Sequence, residues 1–304
     1  MHTHRSLPLG ALALVAASIF WGTTGTAASF FPDTVSPLAV GASTMTFGGL
    51  LLFAVSARSS LGAIRDRRAR PWLLLGAIGV FVYPLAFYTS MDLAGVAVGN
   101  VVALGSGPVF AAILEWVFER ARLSLRWLAS TVIAVSGITA LGLGGHADAA
   151  ADASGVGSGI LLGLLAGLAY ALYTYSSTRA IRVGHGGRSV MGGMFGLGAV
   201  GLAPVLIVTG APLVQSSSTV SIAAYLVIVP MFVAYLLFGF GLVRLRSSTA
   251  TTITLLEPCV ATVLAVIVVG ERLSVLGWIG LGLILVGVTV LATARQRDEP
   301  PFSP

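Results

Sequence analysis

The chain has 304 residues, of which 56% are hydrophobic and 9% are charged, and its formal net charge is +6. A soluble domain carries about 25% charged residues, so a soluble fold of this length would lack the polar surface that it needs. The composition excludes an ordinary soluble domain and predicts an integral membrane protein, whose apolar side chains face lipid.

Ten apolar stretches follow one another along the chain, and each approaches the length of about 20 residues that a helix needs to cross a bilayer. Their continuous apolar character favours helices over the alternating strands of a β-barrel. The predicted spans are 9–30, 36–57, 71–91, 94–117, 127–144, 157–178, 189–210, 220–241, 248–269 and 275–294. The predicted fold class is therefore an all-α integral membrane protein with ten transmembrane helices.

The positions of the arginines predict how these helices are oriented. All seventeen basic residues are arginine, and with both termini in the cytoplasm every one except Arg272 falls in a cytoplasmic segment. Cytoplasmic loops are rich in basic residues, so both termini are predicted to be cytoplasmic. The basic charge then reports the topology and gives no indication of nucleic-acid binding.

The loop 144–159 separates the first five predicted spans from the next five, and the two halves resemble each other. When Pro108 is placed on Pro258, residues 108–124 align with 258–274 without a gap, and both segments end in Arg-Leu-Ser. Five helices in each half give the halves opposite orientations, so the pattern predicts a 5+5 inverted repeat, an arrangement that recurs in secondary transporters. The predicted domains are one five-helix repeat at 1–145, a second at 155–297 and a disordered tail at 298–304.

The ten spans, the repeat, the Glu257-Pro258 pair and the Glu-Arg-Leu-Ser ending of the ninth span resemble the EamA family of the drug/metabolite transporter superfamily. The resemblance covers residues 9–294 and implies alternating access between the two halves. Members similar to this chain export amino acids and related small metabolites, so such export is the expected function. Uptake or facilitated passage of another metabolite, such as a nucleobase or a vitamin, is the alternative. The first repeat departs from the pattern, since Ala121 stands where the second repeat has Glu271.

The resemblance also implies where the chain works and with what. The expected location is the inner (cytoplasmic) membrane of a bacterium, crossed several times by the chain. The expected partners are the lipid bilayer, a small-molecule substrate and, as an alternative use of the carboxylate, protons. The chain is expected to be a monomer or a homodimer.

Glu257 is the acidic residue that lies near the middle of a predicted span. A carboxylate at the centre of a transmembrane helix costs about 2.5–3.5 kcal/mol on insertion scales. Two explanations remain open: a cavity residue that binds an ammonium group or carries a proton, and a buried acid with a packing role. Glu115, near the cytoplasmic end of the fourth span, is interpreted as an interfacial acid that faces the arginine-rich side.

Aromatic and polar residues at comparable depth complete the predicted substrate site. Aromatic faces bind ammonium groups, although Tyr and Trp also serve as interfacial anchors, and an asparagine can bond either a substrate or a neighbouring helix. The further candidates for substrate binding are Trp21, Tyr83, Tyr88, Asn100, Tyr170 and Tyr173. Prolines inside the spans remove backbone hydrogen bonds, which produces either flexible gates or static kinks. The candidates for gating or kinking are Pro84, Pro108, Pro230 and Pro258.

Catalytic chemistry is not indicated by the sequence. The four histidines lie in loops or in the N-terminal tail, so none can act as a base at membrane depth, and no HExxH metal motif occurs. A channel would be expected to contain rings of charge or repeated carbonyl filters, and a single glutamate supplies neither. The sequence therefore predicts neither an enzyme nor a cofactor or metal site.

Overall fold

The structure is a computed structural model that describes residues 6–94, 96–120, 123–144, 153–270 and 274–292. Regular structure among these residues is helical throughout. The α-helices are α1 Ser6–Ala28, α2 Pro37–Ala54, α3 Ala57–Arg65, α4 Arg70–Ala94, α5 Val96–Glu119, α6 Leu125–Gly144, α7 Ala153–Arg182, α8 Gly187–Thr209, α9 Ser217–Leu226, α10 Ala234–Leu242, α11 Ser247–Ile253, α12 Leu256–Leu264 and α13 Val275–Ala292. The predicted tail at 298–304 lies outside the described residues.

Eight helical stretches within the described part of the chain are long and apolar enough to cross a membrane. They are Leu9–Ala28, Pro37–Ala54, Arg70–Ala94, Val98–Glu119, Gly155–Arg182, Gly187–Thr209, Ser217–Leu242 and Ser247–Val268. Two shorter apolar helices, Leu125–Leu141 and Val275–Leu291, coincide with the remaining two predicted spans. The all-α, multi-pass fold class is confirmed, and the count of ten crossings stays a prediction.

Two of the crossing stretches are built from several helical segments. A π-helical segment, Val227–Val233, joins α9 to α10, and a second, Ala265–Val269, extends α12. A turn at Thr254 and Leu255 separates α11 from α12. The ninth predicted span is therefore a broken helix, with the break just before Pro258, which the sequence analysis named as a candidate for gating or kinking.

Helix α3 was not predicted from the sequence. The basic stretch 58–70, between the second and third predicted spans, was treated as a connecting segment. The first part of this stretch forms α3, whose buried face carries Ser60 and Ala63. The hydroxyl of Ser60 donates to the carbonyl of Ser189 at 3.0 Å, which ties α3 to α8. The amphipathic pattern could have predicted this short helix.

Contacts among the arginine-rich segments gather them at one end of the helical bundle, which we call the basic end. These contacts are Arg179 and Arg182 with Glu119, His185 with Asp66, Arg188 with the Val55 carbonyl, and Arg126 with the Val290 carbonyl. Because α1 and α4 start at this end, Asp33, which follows α1, and Asp92, in the last turn of α4, lie at the opposite, acidic end.

Small residues allow the helices of the bundle to approach closely. A Cβ added at Gly137 on α6 would lie 2.6 Å from the carbonyl oxygen of Gly280 on α13, and one at Gly280 would lie 2.6 Å from that of Gly137. Gly159, Gly163 and Gly167 of α7 likewise contact α4 and α5, so their small-residue face packs inside the fold. Such contacts are the usual means of helix association in lipid.

Candidate functional site

A cavity of about 110 Å³ lies inside the bundle, between mid-depth and the acidic end. Helices α1, α2, α4, α5, α7 and α12 and the α9–α10 span line it. Six of the seven predicted binding residues meet there: Trp21, Tyr83, Tyr88, Tyr170, Tyr173 and Glu257. The wall contributed by α2, through Gly41, Thr44 and Met45, was not expected from the sequence.

The remaining predicted site residues are distributed between the cavity and the helix packing. Pro84 and Pro230 line the cavity, and Pro230 lies within the π-helical segment. Asn100, Pro108 and Pro258 are not among its described lining residues. Asn100 is partly buried on α5, and Pro108 is buried within the same unbroken helix.

Glu257 reaches the cavity because the ninth span is broken just before it. Pro258 has no N–H, so the carbonyl of Thr254, which Pro258 would bond in a continuous helix, is left free. The backbone N–H of Glu257 donates to that carbonyl at 3.0 Å instead, and the helix restarts as α12 with Glu257 in its first turn. An acidic residue is favourable there because the N-terminus is the positive end of a helix.

The depth of Glu257 and its lack of a partner distinguish it from the other acids. It is the eleventh residue of the 22-residue stretch Ser247–Val268, and thus lies at mid-depth. Its side chain is partly exposed to the cavity. Among the described residues, no side chain or backbone group forms a hydrogen bond or an ion pair with its carboxylate. This carboxylate is therefore available to a ligand.

Aromatic rings form most of the remaining wall. Tyr83 stacks on Phe87 with ring centroids 5.4 Å apart, and Tyr170 lies 6.0 Å from Tyr83. Trp21 lies 4.9 Å from Tyr235 on the opposite side. Among the described residues, the buried indole nitrogen of Trp21 has no hydrogen-bond partner.

Tyrosine hydroxyls separate the cavity from the basic end. The hydroxyl of Tyr170 bonds that of Thr254 in the break between α11 and α12, and the hydroxyl of Tyr173 lies 3.2 Å from that of Tyr235. Sequence reasoning missed Tyr235 and Thr254. The signal for Tyr235 was present, since it lies inside the predicted span 220–241 much as Tyr83 lies inside its own.

Glu115 lies near the basic end, as the sequence indicated, but its side chain is buried between helices and does not face outwards. Its side chain is 1% exposed and accepts bonds from the hydroxyl of Ser247 at 2.6 Å, the hydroxyl of Ser248 at 2.6 Å and the backbone N–H of Ser248 at 3.0 Å. The physical reason is the N-terminus of α11, whose first N–H groups have no partner inside their own helix and attract a negative charge. Glu115 on α5 thus caps a helix of the second half.

Groups of three or more His, Cys, Asp or Glu side chains that could hold a metal ion are absent from the described part of the chain. The cavity can therefore be described by one carboxylate, aromatic faces and the hydroxyl groups of Thr24 and Thr44.

Known proteins resemble this chain along most of its length. Residues 8–143 and 157–293 each match the EamA-like transporter family. An uncharacterized transporter of Bacillus subtilis, YwfM, is 32% identical over 289 residues, which are 95% of both chains. An uncharacterized transporter of Clostridium kluyveri is 28% identical over 130 residues, 42% of each chain.

A crystal structure of another protein has the same fold. It superposes with a TM-score of 0.77 over 92% of this chain and 95% of that chain, at 23% sequence identity. The fold, the two matched ranges and the relatives together identify a multi-pass membrane transporter. The chain belongs to the EamA family of the drug/metabolite transporter superfamily.

Proposed function

We propose that the chain is a secondary transporter of the bacterial inner membrane that exports small metabolites, amino acids or related compounds, by alternating access. The observation that carries the proposal is the Glu257 carboxylate, which stands unpartnered at mid-depth in a cavity walled by aromatic rings. Ionisable groups at such depth mark transport pathways in membrane proteins.

The proposed topology has ten crossings, both termini in the cytoplasm and two five-helix repeats, 1–145 and 155–297, in opposite orientations. The two separate family matches support the division into repeats. The arginine-rich contacts at one end of the bundle support the orientation, because basic residues favour the cytoplasmic side. Equivalent helices of the two halves pack on each other, α2 on α8 and α6 on α13, as a pseudo-twofold axis would require.

With this orientation the cavity faces outwards, and the basic end is the closed side. Transport requires the basic end to open and the cavity to close towards the acidic end. The Glu115 contact with Ser247 and Ser248 joins the two halves at the basic end. It is therefore a contact that must part when the cavity opens to the cytoplasm.

Counterflow in proteoliposomes tests the proposal. Full-length protein is reconstituted in vesicles loaded with an unlabelled amino acid or amine, and entry of the labelled compound is measured against concentration. We expect saturable exchange that Glu257→Gln lowers at least tenfold. Loss of one hydrogen bond to a charged group, about 1.5–3 kcal/mol, corresponds to roughly 10- to 150-fold.

Asp33→Asn is the matched control, since Asp33 is exposed at the acidic end and is not among the described lining residues of the cavity. A non-saturating ionic conductance would contradict a carrier and indicate a channel. In cells, expression should raise tolerance to an excess of the exported compound, whereas increased accumulation would indicate uptake.

A further inference from the structure

We propose that the cavity selects organic cations that carry an ammonium group and no carboxylate, in preference to zwitterionic amino acids. The inference rests on the proposed function and narrows its substrate class. It follows from the charges on the cavity wall, from the state of the α12 N-terminus and from the aromatic surface.

The charges on the cavity wall are of one sign. Glu257 supplies a carboxylate, and the described lining residues include no arginine and no histidine. Arg246 precedes Glu257 by eleven residues and lies at the basic end, roughly 16 Å away at 1.5 Å per helical residue. A substrate carboxylate would meet Glu257 without a counter-ion, which repulsion and desolvation both oppose.

The N-terminus of α12 does not compensate for the missing cation. In other transporters the N-terminus of a broken helix binds the substrate carboxylate through free N–H groups. Here Pro258 has no N–H, and the N–H of Glu257 already donates to Thr254. The first turn also carries the negative side chain of Glu257 itself. The N-terminus of α12 therefore offers fewer backbone N–H donors to an anion and carries a negative side chain, so it favours a cation.

The rest of the wall fits an ammonium group. The rings of Trp21, Tyr83 and Tyr88 line the same cavity as Glu257. Aromatic faces carry negative electrostatic potential and attract ammonium groups. Thr24 and Thr44 add hydroxyl groups that can bond an uncharged polar substituent.

Two pairs of compounds, matched except for the carboxylate, test the inference. Choline and glycine betaine share a trimethylammonium group, and betaine carries a carboxylate where choline has a hydroxymethyl group. Both cross lipid poorly, so their counterflow in proteoliposomes reports the protein. Isopentylamine and leucine form the second pair, compared by titration calorimetry with purified full-length protein because the free amine crosses lipid unaided.

We expect choline and isopentylamine to be preferred over betaine and leucine by at least about tenfold, since like charges at close range are strongly disfavoured. Glu257→Gln should remove the preference, and the control Asp33→Asn should retain it. The comparison within the unmodified protein stands even where Glu257→Gln does not fold.

The outcomes separate the inference from the function on which it rests. Equal or better handling of betaine and leucine, with saturable counterflow intact, would overturn the cation preference and leave the transporter proposal standing. Absence of saturable counterflow for every amine and amino acid tried would overturn both. Preference for the cations that survives in Glu257→Gln would contradict the assignment to this carboxylate.

Discussion

Helix α5 and the α11–α12 pair align with each other in sequence, yet only one of them is broken. The sequence aligns Gly107-Pro108 with Glu257-Pro258. Pro108 lies inside a helix that continues from Val96 to Glu119. The chain before Pro258 leaves the helix at Thr254 and restarts at Leu256.

The difference teaches that a proline alone does not set the path of a transmembrane helix. Both prolines remove the same backbone bond, but only the second is preceded by a threonine whose hydroxyl bonds a neighbouring helix, as Thr254 does with Tyr170. At the equivalent point of α5 the Tyr170 ring packs against Gly107, where an added Cβ would lie 2.9 Å from it. One tyrosine thus fills the site in the first half and anchors the break in the second.

The largest effect is expected when an acid is placed in the first half. In Gly107→Glu the new Cβ meets the Tyr170 ring and the carboxylate is buried without a partner. We expect a loss of about 3 kcal/mol or more in the free energy of unfolding, measured by thermal unfolding in detergent. The control is Gly105→Ala, whose added Cβ would lie 3.7 Å from its nearest described neighbour, Val135. A variant as stable as the control would show that the tyrosine does not exclude an acid.

The contact between the two equivalent segments gives the next prediction. Glu115→Gln removes the charge that the α11 N-terminus binds. We expect the free energy of unfolding to fall by about 1.5–3 kcal/mol. A cysteine at the buried Ala250, in a Cys259→Ala background, should then react faster with a membrane-impermeant maleimide added at the basic end. Ser130→Ala is the control, because this buried hydroxyl has no described hydrogen-bond partner. Unchanged stability and labelling would mean that this contact does not hold the basic end closed.

A smaller effect is expected at the anchor of the break. Tyr170→Phe removes the hydroxyl that bonds Thr254, at a cost of about 0.5–1.5 kcal/mol. Tyr170→Phe and Thr254→Val together should cost less than the sum of the single changes, because they share one bond. Tyr225→Phe is the control, because it removes a similar hydrogen bond, to Thr23, from a more exposed tyrosine. It should lower the free energy of unfolding by less than Tyr170→Phe does. If the two single losses in the free energy of unfolding add up to the loss in the double variant, the Tyr170 and Thr254 side chains are not coupled.

The smallest effect is expected outside the membrane, at Asp66. The N–H of Arg68 and, next, the imidazole of His185 hold the pKa of the Asp66 carboxyl below its ordinary value of 3.8. Its stabilising contribution is therefore complete above the unfolded-state pKa and is lost as the pH falls through the lower folded-state pKa. Asp66→Asn should lower the melting temperature slightly at neutral pH, and the difference should vanish in acid. A difference that stays constant across that range would exclude this ionisation as its cause.

Much of the fold was predictable because it depends on composition and spacing. Apolar runs long enough to cross a bilayer leave few alternatives to helices, and the spans were found on that basis. The aromatic residues and Glu257 could be assigned to one site because polar or amphipathic side chains at membrane depth are costly and are usually functional. The structure places six of those seven residues around one cavity.

What could not be predicted depends on contacts between distant segments. Glu115 resembles an interfacial acid until the N-terminus of α11 is brought against it. Asn100 was a reasonable candidate by depth alone. The face of α5 on which it lies could not be predicted, because its sequence neighbours are apolar on every side of the helix. The contribution of α2 was missed because Gly41 and Met45 carry no polar group and Thr44 carries no charge, although all three form part of the wall.

The π-helical segment Val227–Val233 has a consequence for the register of the eighth span. The N–H of Ala234 bonds the carbonyl of Val229, five residues earlier, so the turn holds one residue more than an α-helical turn. Because the wide turn absorbs this extra residue, deleting one residue here would restore an α-helical turn and leave Tyr235 facing Tyr173. The eighth span can therefore lose this residue without a change in the part of the cavity wall that follows it.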